Sequence, residues 1–346
     1  MNRTKVHIVI ATWNSRNFIA DALESIFKQA YKDFYITIID NASSDGTVEF
    51  IRSRYPAIYL MQNFKNQGFA KAYNQGIKLS GAEYVLVMHH DVIVDKNFLS
   101  RLVAFADLHP DSGALGGKIL KVFREPIDPD EKRGDLHSLV LSELIDSAGL
   151  EIKRNREVTN RGENLPDAPA FQIAKEVFGV CASVALYRRQ ALNDVKLFNE
   201  FFDEDFYAYK EDIDLSWRLQ LAGWKVYYVP EAVAYHHRGF AHDQKQTLRS
   251  TSLYRKKISR HIRSLSFINQ HLMIIKNDLL SHYLKDCGFI WWREIHILLY
   301  ALLFERFLLA DIGKIIKKTP RALLKRKIIM AHRTASAQAL RQWFKA

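Results

Sequence analysis

Cysteine is almost missing from this 346-residue chain: Cys181 and Cys287 stand alone. Two cysteines cannot make a disulfide framework, and no Cys/His cluster has zinc spacing. A reducing compartment is therefore expected. No secretory leader is expected, because the sequence runs straight into the strand-like stretch Val6–Ala11 with no h-region and cleavage site. Long apolar runs are also lacking. The longest in the apolar region near the C-terminus, Ile297–Phe304, falls far short of the ~20 residues a spanning helix needs. Acidic residues vanish between Lys314 and Arg333, where eight Lys/Arg occur. Such a patch suits nucleic acid, anionic lipid or simple solubility. No nucleic-acid recognition motif accompanies it, so no nucleic-acid partner is expected.

What remains is rich enough for a packed core. Hydrophobic residues make up 48% and charged residues 25%, with a net charge of +12. Early in the chain, short apolar runs alternate with amphipathic stretches. Val6–Ala11, Tyr35–Ile39, Ile58–Met61 and Tyr84–Met88 read as strands. Arg16–Gln29, Thr47–Tyr55, Phe69–Leu79 and Asn97–Leu108 read as helices between or after them. This alternation predicts an α/β fold with a mostly parallel sheet covered on both faces. Ligands in such sheets lie beyond the carboxyl ends of the strands. Residues 1–250 are expected to form one α/β domain, its halves meeting near residue 120, with a helical region over 251–346.

Lys121–Lys175 is charged, Pro- and Gly-containing and weakly periodic, with turn signals at Asp146–Gly149 and Arg161–Asn164. It is expected to shape the pocket of a second substrate. Glu176–Tyr187 resumes the core. A helix carrying Glu211–Leu221 and a strand at Lys225–Val229 follow. Phe289–Ala310 is apolar but interrupted. Glu294 and Glu305 would share one helical face, with Trp291 and Trp292 at one end and the basic stretch beyond. That predicts a helix lying in a membrane interface, in preference to a hairpin packed on the core with its basic side solvated.

Several polar residues sit where a site should be. Asp40 comes too early to cap the helix at Thr47, a task that Ser44 and Asp45 suit. Asn66-Gln67-Gly68 enters a helix holding Asn74, a weak signal for a diphosphate. His89-His90-Asp91 follows an apolar strand, and carboxylate suits Mg²⁺ or Mn²⁺. A late imidazole, His236 or His237, would add a ligand better suited to Mn²⁺. Asp214 and Arg218 form an ordinary i,i+4 helix pair. Glu211 and Asp212, preceded by the aromatic run Phe206–Tyr209, are candidates for removing a proton from a hydroxyl.

Taken together these motifs resemble the inverting glycosyltransferases of family 2, which have the GT-A fold. The resemblance spans roughly residues 5–240. Val9–Ser15 is similar to the family's opening strand and turn, and Ile39–Thr47 to its nucleotide-binding turn. Asn66–Ala70 with Asn74 and Gly76 resembles the next helix entry. His89–Asp91 stands where the family has its metal motif, with only the last carboxylate kept. Phe201-Phe202, Tyr207 and Glu211–Leu215 match its acidic motif, and His236 its late histidine. Within the family, Asp146–Gly149, Arg161-Gly162, Glu176–Gly179, Tyr235–Gly239, Phe267–Asn269 and Lys276-Asn277 look like bacterial rhamnosyltransferase-like members.

The resemblance implies a nucleotide-diphosphate sugar donor, with rhamnose from dTDP-rhamnose expected. The acceptor would be a hydroxyl of a glycan or lipid-linked glycan. Donor contacts would fall to Thr12, Asn14, Asp40, Asn41, Asn66, Gly68, Asn74 and His90. Asp91 and His236 would hold a divalent metal, Mn²⁺ or Mg²⁺. Asp212 would be the base, with Glu211 beside it. The expected place is the cytoplasmic face of the cell membrane. Competing expectations are a UDP-hexose or UDP-N-acetylhexosamine donor, and a non-catalytic binding module.

Overall fold

A computed structural model describes residues 4–126, 137–237, 255 and 258–345. Arg238 and Gly239 of the late-histidine motif lie outside the described residues. The predicted α/β pattern is present. The strands β1 (Val6–Thr12), β2 (Phe34–Asp40), β3 (Tyr59–Gln62) and β4 (Tyr84–His89) pair in parallel, in the order β4-β1-β2-β3. Helices α1 (Ile19–Phe27), α2 (Thr47–Arg54) and α3 (Phe69–Lys78) connect them. β1 is buried along its whole length, as a central parallel strand must be.

Beyond β4 the sheet becomes mixed. A short β5 (Val92–Val94) leads to α4 (Phe98–Leu108) and then to β6 (Ser112–Pro126). β7 (His137–Ser147) runs antiparallel to β6. The hairpin β8 (Leu150–Lys153) and β9 (Val158–Asn160) forms a separate small sheet with the C-terminal β13 (Phe344–Lys345). β10 (Lys175–Glu176) and β11 (Val184–Arg188) return to the main sheet, where β11 lies antiparallel between β4 and β6. After α5 (Arg189–Asp194) and α6 (Glu211–Leu221), β12 (Lys225–His237) pairs in parallel with β6.

Two expectations need correction here. The described part of Lys121–Lys175 is more regular than its weak periodicity suggests, because β6 and β7 pair in an antiparallel ladder, with slips in register on either side of Leu120. The strand expected to end at Val229 continues to His237. Pro230 lies where the pairing slips in register between Val229 and Val233, and such a bulge accommodates a proline.

The helical end is α7 (Arg260–Asn277), α8 (Leu280–Phe304), α9 (Phe307–Ala331) and α10 (Ala337–Arg341). A buried ion lattice joins it to α6. Asp214 accepts from Arg218 at 2.9 Å, from Lys276 at 2.8 Å and from Asn277 at 2.7 Å. Asp203 pairs with Lys276 and, at 2.5 Å, with Lys325. Asp214, Lys276 and Lys325 are each at most 1% exposed. The Asp214–Arg218 pair is thus one corner of a lattice between α6 and the helical end, not merely a local helix pair.

The same contacts revise the view of the tail. Part of the basic stretch turns inward, Lys325 fully, while Lys314, Lys317, Arg321, Lys327 and Arg333 stay exposed. Lys325 also meets Glu200 and Asp205, Arg321 meets both of those acids, and Arg326 donates to the last carbonyls of α7. Glu305 does not continue a face with Glu294. It ends α8 and is drawn inside by Arg255 and Arg263 at 2.6 and 2.7 Å. By contrast the apolar side of α8 is exposed at Leu284, Trp291, Trp292, Leu298, Leu299 and Leu303. α8 is long and apolar enough to cross a membrane by length and composition alone.

Removing one member of a buried ion pair strands its partner and costs about 3–5 kcal/mol. Lys276→Met, of similar length and without charge, is expected to lower equilibrium stability by that amount in urea unfolding followed by circular dichroism.

Candidate active site

The site lies at the carboxyl ends of β1, β2 and β4. Asp40 ends β2 fully buried. Its Oδ1 accepts from Thr12 Oγ1 at 3.0 Å and Ser43 Oγ at 2.5 Å, and its Oδ2 from the Ser43 amide at 2.9 Å. Thr12 is buried as well, so this pair braces the ends of β1 and β2 with its polar atoms turned toward the protein. Asn14, at φ +50°, accepts from the Ser44 amide at 2.9 Å and keeps an exposed edge.

The next loop is built by mutual hydrogen bonding. Asn41 donates to the Gly68 carbonyl at 3.2 Å and accepts from Asn63 at 3.0 Å. Asn66 accepts from the Gly68 amide at 2.9 Å. Gly68 has φ +83°, and a β-carbon there would run into the Tyr207 carbonyl. Glycine is therefore required by both conformation and closeness. Asn74 is fully buried, accepting from the amides of Phe201 and Phe202 and donating to the Phe202 carbonyl and Glu204. Asn41 and Asn74 hold loops together in this structure.

Three ligand-type side chains converge nearby. The ligand atoms of His89, Asp91 and His236 lie within 4.8 Å of one another. His89 ends β4, Asp91 follows it, and His236 comes from the far half of β12, which pairs with β5. Asp91 Oδ1 faces His236 Nε2 at 3.5 Å and His89 Nδ1 at 3.8 Å, both too long for good hydrogen bonds. That oxygen is buried without a hydrogen-bond partner. Burial works against the Asp91 anion, but the neighbouring imidazoles of His236, His89 and His90 hold its carboxyl well below the usual range. Burial works against the His236 cation, yet Asp146 and Asp91 push its imidazole up to about 9. Two imidazoles and one carboxylate around an unsatisfied anionic oxygen suit a divalent cation, Mn²⁺ better than Mg²⁺.

Sequence reasoning left out two parts of this centre. His89 had been seen only as a substitute for a carboxylate, and it is the third member. Asp146 had been seen as a turn residue, and its Oδ2 meets His236 Nδ1 at 2.9 Å, orienting the ring. Strand alternation separates the adjacent histidines: His237 turns to the other face, against Phe18 at 5.3 Å. His90 also turns aside, its Nδ1 at 3.3 Å from the Ala11 carbonyl.

The acidic pair opens α6. Asp212 is half-buried and accepts from the amides of Ala182 at 3.3 Å and Ile213 at 2.8 Å. Burial pushes its carboxyl above the usual aspartate value despite those bonds. Glu211 is buried, with Oε2 lacking a hydrogen-bond partner. Burial, then the charge of Asp212, pushes it up to about 8. The segment entering the helix is strained, with Tyr207, Tyr209 and Lys210 all at positive φ. Asn269 of α7 holds it, its Nδ2 lying 2.9 Å from each of the carbonyls of Phe206, Ala208 and Tyr209.

The two halves touch through residues 182 and 183. The Ala182 amide donates to Asp212, while the Ser183 carbonyl accepts from the His89 amide at 2.7 Å. Tyr73, buried between them, has an unpartnered hydroxyl whose acidity is suppressed by burial first and then by both Glu211 and Asp91. One site therefore contains both the ligand cluster and the acids.

The sheet thus carries a ligand cluster at its strand ends and a buried carboxylate pair at the start of α6. The family model "Glycosyl transferase family 2" matches residues 7–196, and "Glycosyl transferase family group 2" matches 163–313. The chain belongs to glycosyl transferase family 2 and is a glycosyltransferase with the GT-A fold. Among relatives, an N-acetylglucosaminyl-diphospho-decaprenol L-rhamnosyltransferase of Mycobacterium tuberculosis is 28% identical over 250 residues, covering 67% of this chain and 75% of that protein. A poly-beta-1,6-N-acetyl-D-glucosamine synthase of Staphylococcus epidermidis is 26% identical over 66% of this chain, which spans only 49% of that protein. Among solved structures, GalNAc-T7 with UDP, GalNAc and Mn²⁺ superimposes with a TM-score of 0.56 at 12% identity, over 80% of this chain and 48% of that one. S. aureus TarS 1-349 with UDP-GlcNAc gives 0.52 at 17% identity, over 98% and 92%.

Losing an outer partner of a metal-ligating histidine typically weakens metal binding 10–100-fold. Asp146→Asn is expected to weaken Mn²⁺ binding by about that factor in titration calorimetry, and unchanged affinity would remove His236 from the centre.

Proposed function

We propose that this enzyme moves a sugar, with inversion, from a nucleotide diphosphate to a hydroxyl of a polysaccharide or lipid-linked glycan. The observation that carries the reading is the contact of both site halves through Ala182 and Ser183, which sets Asp212 beside the ligand cluster. Asp91, His89 and His236 would hold a divalent cation, which supplies Lewis acidity toward a diphosphate leaving group. Asp212 takes the acceptor proton. The acceptor oxygen then bonds to the anomeric carbon as the bond from that carbon to the diphosphate oxygen breaks, its electron pair leaving with the diphosphate. Glu211, protonated at neutral pH, stays uncharged beside Asp212 and so leaves the single negative charge on the base. The edge of Asn14 and the loop at Asn66–Gly68 face the donor, while Asp40, Asn41 and Asn74 shape that surface from behind.

Rhamnose from dTDP-rhamnose is the proposed donor, supported by the rhamnosyltransferase relative. The synthase relative favours a second reading, a UDP-N-acetylhexosamine donor. A screen of nucleotide sugars for hydrolysis and transfer separates them. With the preferred donor, Asp212→Asn is expected to lower kcat by about 10²–10⁴. Near-native turnover in that variant would sink the base assignment.

The exposed apolar side of α8 supports attachment to the inner face of the cell membrane, with the helix lying in the interface. Trp291→Glu combined with Leu298→Glu is expected to release the protein from phosphatidylglycerol vesicles in a flotation assay. Retention of that double variant on the vesicles would refute the attachment.

A further inference from the structure

A large groove separates α7 and α8 and runs back to the start of α6. Its volume is about 950 Å³. Nothing in the sugar-transfer chemistry described above uses it. Three of its properties bear on an occupant.

The first is charge. Lys153, Arg154, Lys210, Arg255, Arg263 and Arg293 line it, against the single acid Glu157. Neighbouring carboxylates offset this only in part. Lys153 pairs with Glu157 at 2.9 Å, Arg293 with Glu294 at 2.6 Å, Arg255 and Arg263 share Glu305, and Arg154 shares Asp286 with Arg156 and Arg341. Lys210 has no ion pair among the described residues. Burial lowers its amine from the usual lysine value although the charges of Asp212, Glu157 and Glu211 act the other way, so a further anion beside it would favour its cationic form.

The second is an apolar floor. Phe267, Phe289, Trp292, Ile297, Tyr300 and Phe304 provide it. Phe289, Trp292 and Phe304 also belong to the exposed apolar side of α8. The groove is therefore continuous with the surface proposed to meet the bilayer.

The third is order. Asp212, the proposed base, comes first, then Lys210 two residues before it. The guanidinium of Arg293 follows, close enough for its charge to act on Lys210. The aromatic floor and then the bilayer-facing surface complete the path. A lipid-linked sugar has the same sequence of chemistries: hydroxyl, phosphate, hydrocarbon.

We infer that this groove binds the lipid phosphate of the acceptor, with its phosphate or diphosphate at Lys210 and Arg293 and its hydrocarbon chain along Trp292 to Phe304. The inference rests on the lipid-linked reading of the acceptor and names the subsite for it. Cations desolvated beside an apolar floor favour an amphiphilic anion over a free one, because each half of the ligand satisfies half of the groove.

The test is binding, measured without donor or turnover, so failure of the transfer reaction does not register in it. Farnesyl diphosphate is the probe, titrated into the full chain by calorimetry. Inorganic diphosphate and farnesol are each expected to bind at least tenfold more weakly. UDP is expected not to displace the probe. Lys210→Glu and Trp292→Ala are each expected to weaken it at least tenfold, with folding of both checked by circular dichroism. Trp292 is exposed, so its variant reads the groove even if Lys210→Glu does not fold. Displacement by UDP would place the probe on the donor site and overturn the inference. Equal binding of farnesol or of inorganic diphosphate would overturn it as well. So would probe uptake only in the presence of phosphatidylglycerol vesicles and equal in wild type and Lys210→Glu, because the surface alone would then be the binder.

Discussion

The sharing of Lys276 between Asp203 and Asp214 is the constraint on which the rest of the molecule depends. Neither carboxylate can ionise in a dry interior without a cation, and no cation on α6 reaches Asp203 in this structure. The helical tail supplies two, Lys276 and Lys325. α6 is thus fixed at its first turn by residues that arrive more than sixty positions later. The acids that open α6 inherit that fixity. So does the strained segment before them, whose carbonyls Asn269 gathers from the same tail helix. Left-handed conformations at non-glycine residues cost about 1–3 kcal/mol each. Three in four residues persist only because packing and these hydrogen bonds over-determine them.

Much of the fold was legible because its signals are local. β1 to β4 and their helices follow from alternation of apolar runs, and their bounds shifted by at most three residues. β7 was not legible, because its pairing with β6 depends on a partner that periodicity cannot see. β12 runs on to His237 past its expected end at Val229, and only the partner strand shows the register slip that carries it past Pro230. The site divides in the same way. Asp91 and His236 stood out because carboxylate after a strand and a late histidine are readable. His89 did not, although it lies two residues from Asp91, because its role appears only when β12 arrives beside it. Ala182 and Ser183 carried no signal at all. They act through backbone groups, and a backbone group has no letter in a sequence.

The tail also shows how composition misleads about charge. Eight basic residues without an acid look like a surface device. Lys325 is wholly buried, and Arg326 spends itself on the carbonyls that end α7. Their partners Glu200, Asp203 and Asp205 sit in another part of the chain, so the local charge count never balances although the folded one largely does. The apolar side of α8 faces outward, and Lys314, Lys317, Arg321, Lys327 and Arg333 stay exposed as well.

The bulge at Pro230 has a consequence for how this chain tolerates change in length. Upstream of it β12 serves the core, and downstream it delivers His236. Adjacent strand residues point to opposite faces, so inserting or deleting one residue there would exchange His236 for His237. The sheet could re-pair after such a slip, and the fold would survive. The imidazole that reaches Asp146 and Asp91 would then be lost to the Phe18 side. A single-residue indel at this position is therefore a functional mutation disguised as a loop polymorphism.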